Sequence, residues 1–313
     1  MTNNKKVLVT GGAGFIGSNI TIELVKRGYN VKVIDNLSTG NLNNLNSIIN
    51  NIEFIEDDIY KTNDLEKYFK DINTIFHQAA LPSVQRSIDN PLETHNNNST
   101  ATIKLLTAAK NTKVKKIIYA ASSSAYGNRE EDYKVEYMKP QPLSPYAATK
   151  LVGEYYMKVF AHVYDIETVC LRYFNVFGPN QDPNSPYSAV IPLFIKAILN
   201  DEQPVIYGDG KQSRDFTYVA NNVQANILAM ESDTKSGETL NVACGKSYSL
   251  LDLLNIINKS LGKDIKPIFK EEREGDIKDS LANISKAKKL INYKPIVDFE
   301  EGLKKTIEYY KNN

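Results

Sequence analysis

Near its start the chain reads Val7-Leu8-Val9-Thr10-Gly11-Gly12-Ala13-Gly14-Phe15-Ile16-Gly17. A short β-branched run, which predicts a strand, passes into a glycine-rich turn and then into a helical pattern. Gly12, Gly14 and Gly17 fit the spacing G-x-G-x-x-G, and Gly11, Gly14 and Gly17 fit the wider G-x-x-G-x-x-G. Either spacing gives a tight turn, close approach of the backbone to a pyrophosphate, and free amides at a helix N-terminus. The stretch therefore predicts a dinucleotide-binding turn.

Strand and helix patterns alternate outward from this turn. The runs that predict strands are Lys6 to Thr10, Val31 to Asp35, Ile52 to Glu56, Thr74 to His77, Lys116 to Ala121 and Glu167 to Arg172. Strands separated by helices favour a parallel sheet covered on both faces, with ligands at the carboxyl ends of the strands. The predicted fold class is α/β, with a doubly wound parallel (Rossmann) sheet.

The alternation weakens after Gly178-Pro179, where a stretch rich in Asn, Asp and Pro predicts a loop. The later patterns predict helices around Val190 to Leu199, Asn221 to Glu231, Leu250 to Leu261 and Glu300 to Tyr310, and strands around Val205 to Tyr207 and Thr239 to Ala243. They indicate a second, smaller mixed α/β domain. We expect a nucleotide-binding domain over 1–178, a second domain over 179–313, and the return of part of 215–245 to the first.

Composition excludes several classes of partner. With 38 basic and 37 acidic residues, the chain has no bulk field for nucleic acid or an acidic membrane. The two cysteines, Cys170 and Cys244, lack metal-ligand spacing, so we expect no metal site. The start is polar and no run reaches transmembrane length, which favours a cytoplasmic protein.

The end of the second predicted strand selects the dinucleotide. Asp35 lies there, close to the spacing of about 20 residues at which an acid receives the ribose hydroxyls. A carboxylate at this place repels a 2′-phosphate, so we expect NAD rather than NADP. The alternative is that Asp35-Asn36 merely begins a turn.

A second group of polar residues follows the fifth predicted strand. Ser122 opens the run Ser122-Ser123-Ser124-Ala125-Tyr126-Gly127, and Tyr146 and Lys150 lie one helical turn apart in Ser-Pro-Tyr-Ala-Ala-Thr-Lys. Beside a nicotinamide, the lysine can hold part of the phenol as phenolate near neutral pH, which makes it a base for a hydroxyl proton. The three are the predicted catalytic residues, whereas His77 is predicted to be structural.

These motifs, together with Arg172-Tyr173-Phe174-Asn175-Val176-Phe177-Gly178-Pro179, resemble those of the extended short-chain dehydrogenase family over nearly the whole chain. Within that family the chain is most similar to the UDP-hexose 4-epimerases, especially the branch that accepts UDP-N-acetylglucosamine, through Gln181-Asp182-Pro183 after the Arg-Tyr-Phe-Asn motif. The resemblance implies tightly bound NAD, a UDP-sugar substrate and reversible inversion at C4 through a 4-keto sugar.

The resemblance also implies which residues contact the ligands. The implied cofactor-binding residues are Gly11, Gly14, Phe15, Ile16, Gly17, Asp35, Asn36, Asp58, Ile59, Gln78, Ala79, Ala80, Asn97, Tyr146, Lys150 and Tyr173. The implied substrate-binding residues are Ser122, Ser123, Ser124, Tyr146, Asn175, Val205, Tyr207, Arg214, Arg273, Asp276 and Ser280. Alternatively, Arg214 pairs with Asp215 as a structural ion pair and Arg273 is a solvated charge.

Two positions bear on the choice of reaction and sugar. Related dehydratases carry Asp-Glu where this chain has Ser123-Ser124. Decarboxylases carry a glutamate at the second of these positions. Because this chain has neither acid, elimination of water is disfavoured. Ser280 aligns with a tyrosine of enzymes limited to UDP-glucose and UDP-galactose, and its small side chain leaves room for an acetamido group. A UDP-glucuronate 4-epimerase and a non-catalytic NAD-binding sensor or scaffold remain alternatives. A homodimer, paired through the stretches Pro91 to Lys110 and Pro145 to Ala161, is expected from the resemblance alone.

Overall fold

The computed structural model describes residues 5–129, 131–184, 189–234, 237–272 and 279–312. Its strands are β1 Lys6–Thr10, β2 Asn30–Asp35, β3 Ile52–Glu56, β4 Ile72–His77, β5 Lys116–Ser122, β6 Glu167–Tyr173, β7 Val176–Phe177, β8 Val205–Tyr207, β9 Ser213–Arg214, β10 Thr217–Tyr218, β11 Glu238–Val242, β12 Tyr248–Ser249, β13 Ile268–Lys270 and β14 Asp279–Ser280. Its α-helices are α1 Phe15–Lys26, α2 Glu66–Phe69, α3 Val84–Asp89, α4 Pro91–His95, α5 Ala101–Lys110, α6 Pro145–Val163, α7 Val190–Leu199, α8 Val219–Glu231, α9 Leu250–Leu261, α10 Ser285–Ile291 and α11 Phe299–Asn312.

A seven-stranded parallel sheet organises the fold, in the order β11-β6-β5-β4-β1-β2-β3. Six of these strands have the order of a doubly wound nucleotide-binding sheet, and β11 extends the β6 edge. The predicted α/β class and Rossmann sheet are confirmed. The polar stretch Asn41 to Asn51 forms a 3-10 helix over Leu42–Asn51.

Hydrophobic cores lie on both faces of this sheet because successive side chains of a strand point to opposite faces. Val7 and Val9 of β1 pack in one core with Leu24 of α1, whereas Leu8 packs in the other with Leu105 of α5. The first core continues into the smaller domain through α7 and α9. This shared core joins the small domain to the central sheet.

The smaller domain consists of short sheets and capped helices. β9 joins β12 and β14, and β8 pairs with β13. Ser249 and Asp252 form a capping box at the start of α9, and Gly262 ends that helix in the left-handed conformation. In the described parts of the chain, no helix has the length and apolar character needed to cross a membrane.

Candidate active site

A cavity of about 890 Å³ opens at the carboxyl ends of the parallel strands. Pockets that bury a cofactor-sized ligand have about 300–1,000 Å³. All sixteen residues implied as cofactor-binding lie on its wall. The serine run, Asn175, Arg214 and Ser280 line the same space. The structure therefore brings the predicted catalytic residues and part of the predicted substrate site together with the glycine turn.

Close backbone contacts shape the glycine turn. A Cβ on Gly17 would lie 2.0 Å from the carbonyl oxygen of Gly11, so no side chain fits there. Gly11 has a φ of +66°, and a Cβ on it would lie 2.8 Å from the backbone of Ala79. The turn thus keeps side chains out of the space before α1, as a pyrophosphate at a helix N-terminus requires.

Asp35 lines the cavity at the end of β2. Its carboxylate is buried and accepts hydrogen bonds from the amides of Ala13 and Leu37, each at 2.9 Å. Burial raises the pKa of Asp35, and these amide donors oppose the rise. The side chain is thereby fixed beside the glycine turn.

Beyond the turn, side chains of the neighbouring strands brace one another. Asn36 donates to Asp58 at 3.0 Å. Tyr173 donates to Gln78 at 3.1 Å and accepts from Asn226 at 2.7 Å. Tyr173, at the end of β6, and Gln78, after β4, therefore reach the cavity wall as a hydrogen-bonded pair. The glycine cradle, the fixed Asp35 and the size of the cavity together fit a dinucleotide.

Asn97 reaches the wall from a π-helical turn, Asn96–Thr100, between α4 and α5. Such a turn inserts an extra residue into a helix and is common at functional sites. Asn97 donates to the carbonyl of Glu93 at 2.9 Å, which holds its side chain at the helix surface. The sequence pattern did not predict this change in helical geometry.

Helix α6 carries Tyr146 and Lys150. Ser144 caps its N-terminus by accepting from the amide of Ala147 at 3.1 Å, and Pro145 occupies the first turn. The cap sets where the helix begins. Tyr146 and Lys150 consequently share one face, directed at the end of β5, where the serine run begins.

Ser122 is linked to both Tyr146 and its own turn. Its hydroxyl oxygen accepts from the amide of Ser124 at 3.2 Å and from the hydroxyl of Ser124 at 2.8 Å. Because a hydroxyl has two acceptor lone pairs and one proton, these bonds leave the proton of Ser122 to be donated. A hydrogen bond between Ser122 and Tyr146 lowers the pKa of the phenol.

Burial dominates the ionisation of Tyr146 and Lys150 in the protein alone. It raises the pKa of Tyr146 despite the bond to Ser122, and it lowers the pKa of Lys150 to about 8. Lys150 donates to the carbonyl of Ala120 at 2.8 Å. The lowered phenol pKa that we expected beside a nicotinamide is therefore not a property of the protein by itself. In the protein alone, the phenol is protonated at neutral pH.

His77 does not line the cavity. Its ring nitrogens contact the hydroxyls of Thr10 at 2.8 Å and Thr102 at 3.0 Å, and its side chain is buried. Burial lowers the pKa of His77 to about 3, so the ring is neutral at physiological pH. Its contacts agree with the structural role predicted for it. Across the described ranges, no three His, Cys, Asp or Glu residues are grouped so as to hold a metal ion.

The substrate side is only partly assembled around the cavity. Asn175, Arg214 and Ser280 meet there, and the Asn175 amide lies 3.4 Å from the Ser280 hydroxyl. Val205 and Tyr207 do not line this cavity; Tyr207 contributes instead to a shallow pocket with Phe269, Lys270 and Glu271. The predicted residues Arg273 and Asp276 lie outside the described residues.

Several cavity residues were missed by the sequence analysis as contributors to the site. They include Arg86 of α3, Tyr126 and Lys134 near the serine run, Phe174, and Gln181 and Asp182 of the loop after β7. Gln181 and Asp182 belong to a motif that carried the resemblance, which was a usable signal. No pattern in the sequence marks Arg86 or Lys134, since their approach depends on how distant segments pack.

Comparisons with known proteins agree with this geometry. The sequence model of the NAD dependent epimerase/dehydratase family matches residues 7–243. A putative UDP-glucose 4-epimerase of Methanocaldococcus jannaschii is 39% identical over 310 residues, covering 98% of this chain and 99% of that protein.

Two solved structures are similar over their whole length. A UDP-N-acetylglucosamine 4-epimerase from Methanobrevibacter ruminantium, in complex with UDP-N-acetylmuramic acid, has a TM-score of 0.95 and 48% identity, with 99% of each chain covered. A UDP-glucuronic acid 4-epimerase from Bacillus cereus, with UDP-glucuronic acid and NAD, has a TM-score of 0.92 and 36% identity, covering 98% and 99%. Fold, cavity and sequence agree, and the chain belongs to the NAD-dependent epimerase/dehydratase family.

Proposed function

We propose that this protein inverts C4 of a UDP-hexose, using NAD that stays bound through the reaction. The observation that carries the proposal is the meeting of Ser122, Tyr146 and Lys150 on one wall of a dinucleotide-sized cavity. Ser123 and Ser124 stand where elimination would need acids. Relatives and structural neighbours named as UDP-sugar 4-epimerases support the same reaction class.

NAD, when bound, would accept a hydride from C4 of the sugar and return it to the same carbon. Tyr146 takes the proton of the 4-hydroxyl, and Ser122 donates its hydrogen bond to the same oxygen. The positive charge of Lys150 favours the phenolate once the cavity is filled. When the 4-keto sugar presents its other face, Tyr146 returns the proton to the oxygen.

Because the sugar must turn, the substrate needs an anchor away from the reacting carbon. Asn175 and Arg214 line the same cavity as the glycine turn. We assign Arg214 to the diphosphate, whose oxygens a guanidinium binds in pairs. Asn175 would donate to the same group, so the nucleotide stays fixed while the hexose rotates.

The size of Ser280 supports acetylated substrates. Its side chain lies on the cavity wall beside Asn175, and a hydroxymethyl group leaves room that a phenol would fill. The structural neighbour at 48% identity is named for UDP-N-acetylglucosamine. We propose that UDP-N-acetylglucosamine and UDP-N-acetylgalactosamine are interconverted, together with UDP-glucose and UDP-galactose.

Two cavity-lining cations give a second candidate some support. A uronate needs a positive charge near C6, and both Arg86 and Lys134 line the cavity. Lys134 donates to the carbonyl of Glu131 at 2.9 Å and is largely buried. Together with the neighbour that acts on UDP-glucuronic acid, this keeps a UDP-glucuronate 4-epimerase as the second candidate.

One experiment separates these candidates. The purified protein is incubated with UDP-glucose, UDP-N-acetylglucosamine and UDP-glucuronate in separate reactions, without added NAD, and the products are identified. We expect C4 epimers of the first two. Turnover of the uronate alone would move the assignment to the second candidate. Bound NAD with no turnover of any substrate would instead indicate a sensor or scaffold.

The unit of assembly is proposed to be a homodimer. Helices α3 and α4 pack beside α6, and together they expose Val84, Ile88, Leu92, Tyr155, Val159 and Val163. Large exposed apolar side chains on adjoining helices are typical of protein interfaces. Sedimentation of the wild type and of Leu92→Asp tests this assignment, since a charge should dissociate the dimer.

The division of the chain is likewise proposed. We assign residues 1–178 to the NAD-binding domain and 179–313 to the nucleotide-sugar domain, with part of 215–245 returning to the first. The pairing of β11 with β6 supports that return.

A further inference from the structure

Asp215 is a fully buried carboxylate next to the cavity but not on its wall. It follows Arg214 in the turn between β9 and β10, and its exposed fraction is 0%. Its neighbours in sequence and space include three residues assigned above to the substrate. The reaction described so far gives Asp215 no role.

The carboxylate joins two distant segments through their backbone amides. One oxygen accepts from Cys244 at 2.9 Å, and the other accepts from Gly245 at 2.9 Å and from Ala282 at 3.3 Å. Cys244 and Gly245 follow the edge strand β11, whereas Ala282 follows β14. The side chain therefore ties the segment after β14 to the edge of the central sheet.

The main chain of Asp215 holds the substrate residues themselves. Its amide donates to the carbonyl of Ser280 at 2.7 Å, and its carbonyl accepts from the side chain of Asn175 at 3.1 Å. Arg214 precedes it directly. Displacement of Asp215 would thus shift Asn175, Arg214 and Ser280 together.

Hydrogen bonds from backbone amides compensate for the burial of this carboxylate. Burial raises the pKa of Asp215 to about 7, and the surrounding amides oppose that rise. Burying a carboxylate is costly unless donors surround it. An amide or an apolar side chain would be cheaper to bury, but neither offers two oxygens to three amides.

We propose that Asp215 is a positioning residue that sets the affinity of the cavity for the nucleotide part of the substrate. It acts through Asn175, Arg214 and Ser280 and contacts neither the reacting carbon nor the cofactor. The identity of the nucleotide rests on the proposed function. The positioning role itself rests on the hydrogen bonds of Asp215.

The test compares Asp215→Asn with wild type and with a matched control, Asn258→Ala. Asn258 is a buried side chain of the small domain that bonds to both backbone groups of Ile265, away from the cavity. Loss of Asn258 should destabilise the domain without moving the cavity. The measurements are the Kd of UDP alone, KM and kcat for the preferred sugar nucleotide, and the NAD content of the purified protein.

For Asp215→Asn we expect the Kd of UDP and the KM to rise at least tenfold, kcat to stay within about threefold, and NAD content to stay at the wild-type level. Asn258→Ala should leave the Kd of UDP unchanged. Unchanged UDP affinity in Asp215→Asn overturns the positioning role, as does an equal loss of UDP affinity in Asn258→Ala. Wild-type protein that binds UDP without turnover overturns the proposed function alone.

Hydrogen exchange of the wild type decides the matter if Asp215→Asn does not fold. The amides of Cys244, Gly245 and Ala282 should be protected together, and saturating UDP should slow the exchange of all three. Slower exchange at Ala282 alone, with Cys244 and Gly245 unaffected, would show that the carboxylate does not couple the two segments.

Discussion

The two walls of the cavity are built in opposite ways. The glycine turn is contiguous in sequence, and its shape follows from the side chains that it lacks: a Cβ on Gly17 would lie 2.0 Å from the oxygen of Gly11. The second wall gathers Asn175, Arg214 and Ser280 from three segments that hydrogen bonds hold together. A substitution in the first wall should abolish binding, because the close backbone contacts leave no room for adjustment. A substitution in the second wall should reduce binding or selectivity gradually.

Hydrogen bonds connect the serine run to the segments of the second wall. Tyr126, which follows the serine run, donates to Asn241 of β11 at 2.7 Å. The same Asn241 donates to the carbonyls of Lys134 at 2.9 Å and Asn283 at 3.1 Å. Asn283 lies just beyond Ser280 and Ala282. The position of the serine turn is therefore coupled to the segment that carries Ser280.

The largest effect should come from removing the chemistry while leaving both walls intact. In Tyr146→Phe the ring remains but the proton carrier is lost, and we expect turnover to fall by about 10²- to 10⁴-fold. NAD content and the Kd of UDP should match those of wild type. Interconversion of the substrate at near the wild-type rate would contradict the assignment of Tyr146.

A substitution that disrupts the first wall should abolish NAD binding. In Gly17→Ala the added Cβ collides with the Gly11 carbonyl, so we expect the purified protein to lack NAD and its free energy of unfolding to fall by about 1–3 kcal/mol. Cofactor content is read by absorbance after denaturation, and stability by urea unfolding.

Gly262→Ala is the matched control for this variant. Gly262 has a φ of +65° at the end of α9, and a Cβ on it would meet nothing within 4 Å. It should cost about 1 kcal/mol and leave the NAD content unchanged. Full NAD occupancy in Gly17→Ala would contradict the steric account of the first wall.

The contrast between the walls also explains what the sequence could predict. The strand pattern, the turn from Gly11 to Gly17 and the position of Asp35 depend on local spacing, and the doubly wound sheet was predicted from them. Tyr146 and Lys150 could be predicted in the same way, because both lie on one capped helix, which sets their relative positions. These features require only that each segment adopt its own preferred structure.

The second wall could not be predicted in the same way, because its geometry arises from contacts between distant segments. Nothing near Asp215 in the sequence shows that its carboxylate meets the amides of Cys244 and Ala282. Tyr207, which the resemblance implies is a substrate-binding residue, contributes to a separate shallow pocket in the structure. The burial of Lys134 likewise depends on its pairing with the segment after β14.

A change of side-chain size in the second wall should alter selectivity rather than abolish activity. For Ser280→Tyr we expect kcat/KM for UDP-N-acetylglucosamine to fall by roughly 10- to 100-fold relative to that for UDP-glucose, because the phenol fills the space beside Asn175. Ser280→Ala, which removes only the hydroxyl near Asn175, should lower both values alike. Equal losses on both substrates in Ser280→Tyr would argue against an acetamido pocket at this position.

The smallest effect should come from a substitution of Ser124, which orients the hydroxyl of Ser122. Ser124 donates to Ser122 through both its amide and its hydroxyl, which directs the proton of Ser122 toward Tyr146. Ser124→Ala removes one of these donors, and a hydrogen bond of about 1 kcal/mol corresponds to roughly a fivefold fall in kcat. We expect KM to change little, because the effect passes through Ser122; the direct substrate contact that the resemblance implies for Ser124 would raise KM instead. Ser124→Thr keeps the hydroxyl and should restore kcat; failure of this rescue, or a rise in KM with unchanged kcat, would place Ser124 in substrate binding instead.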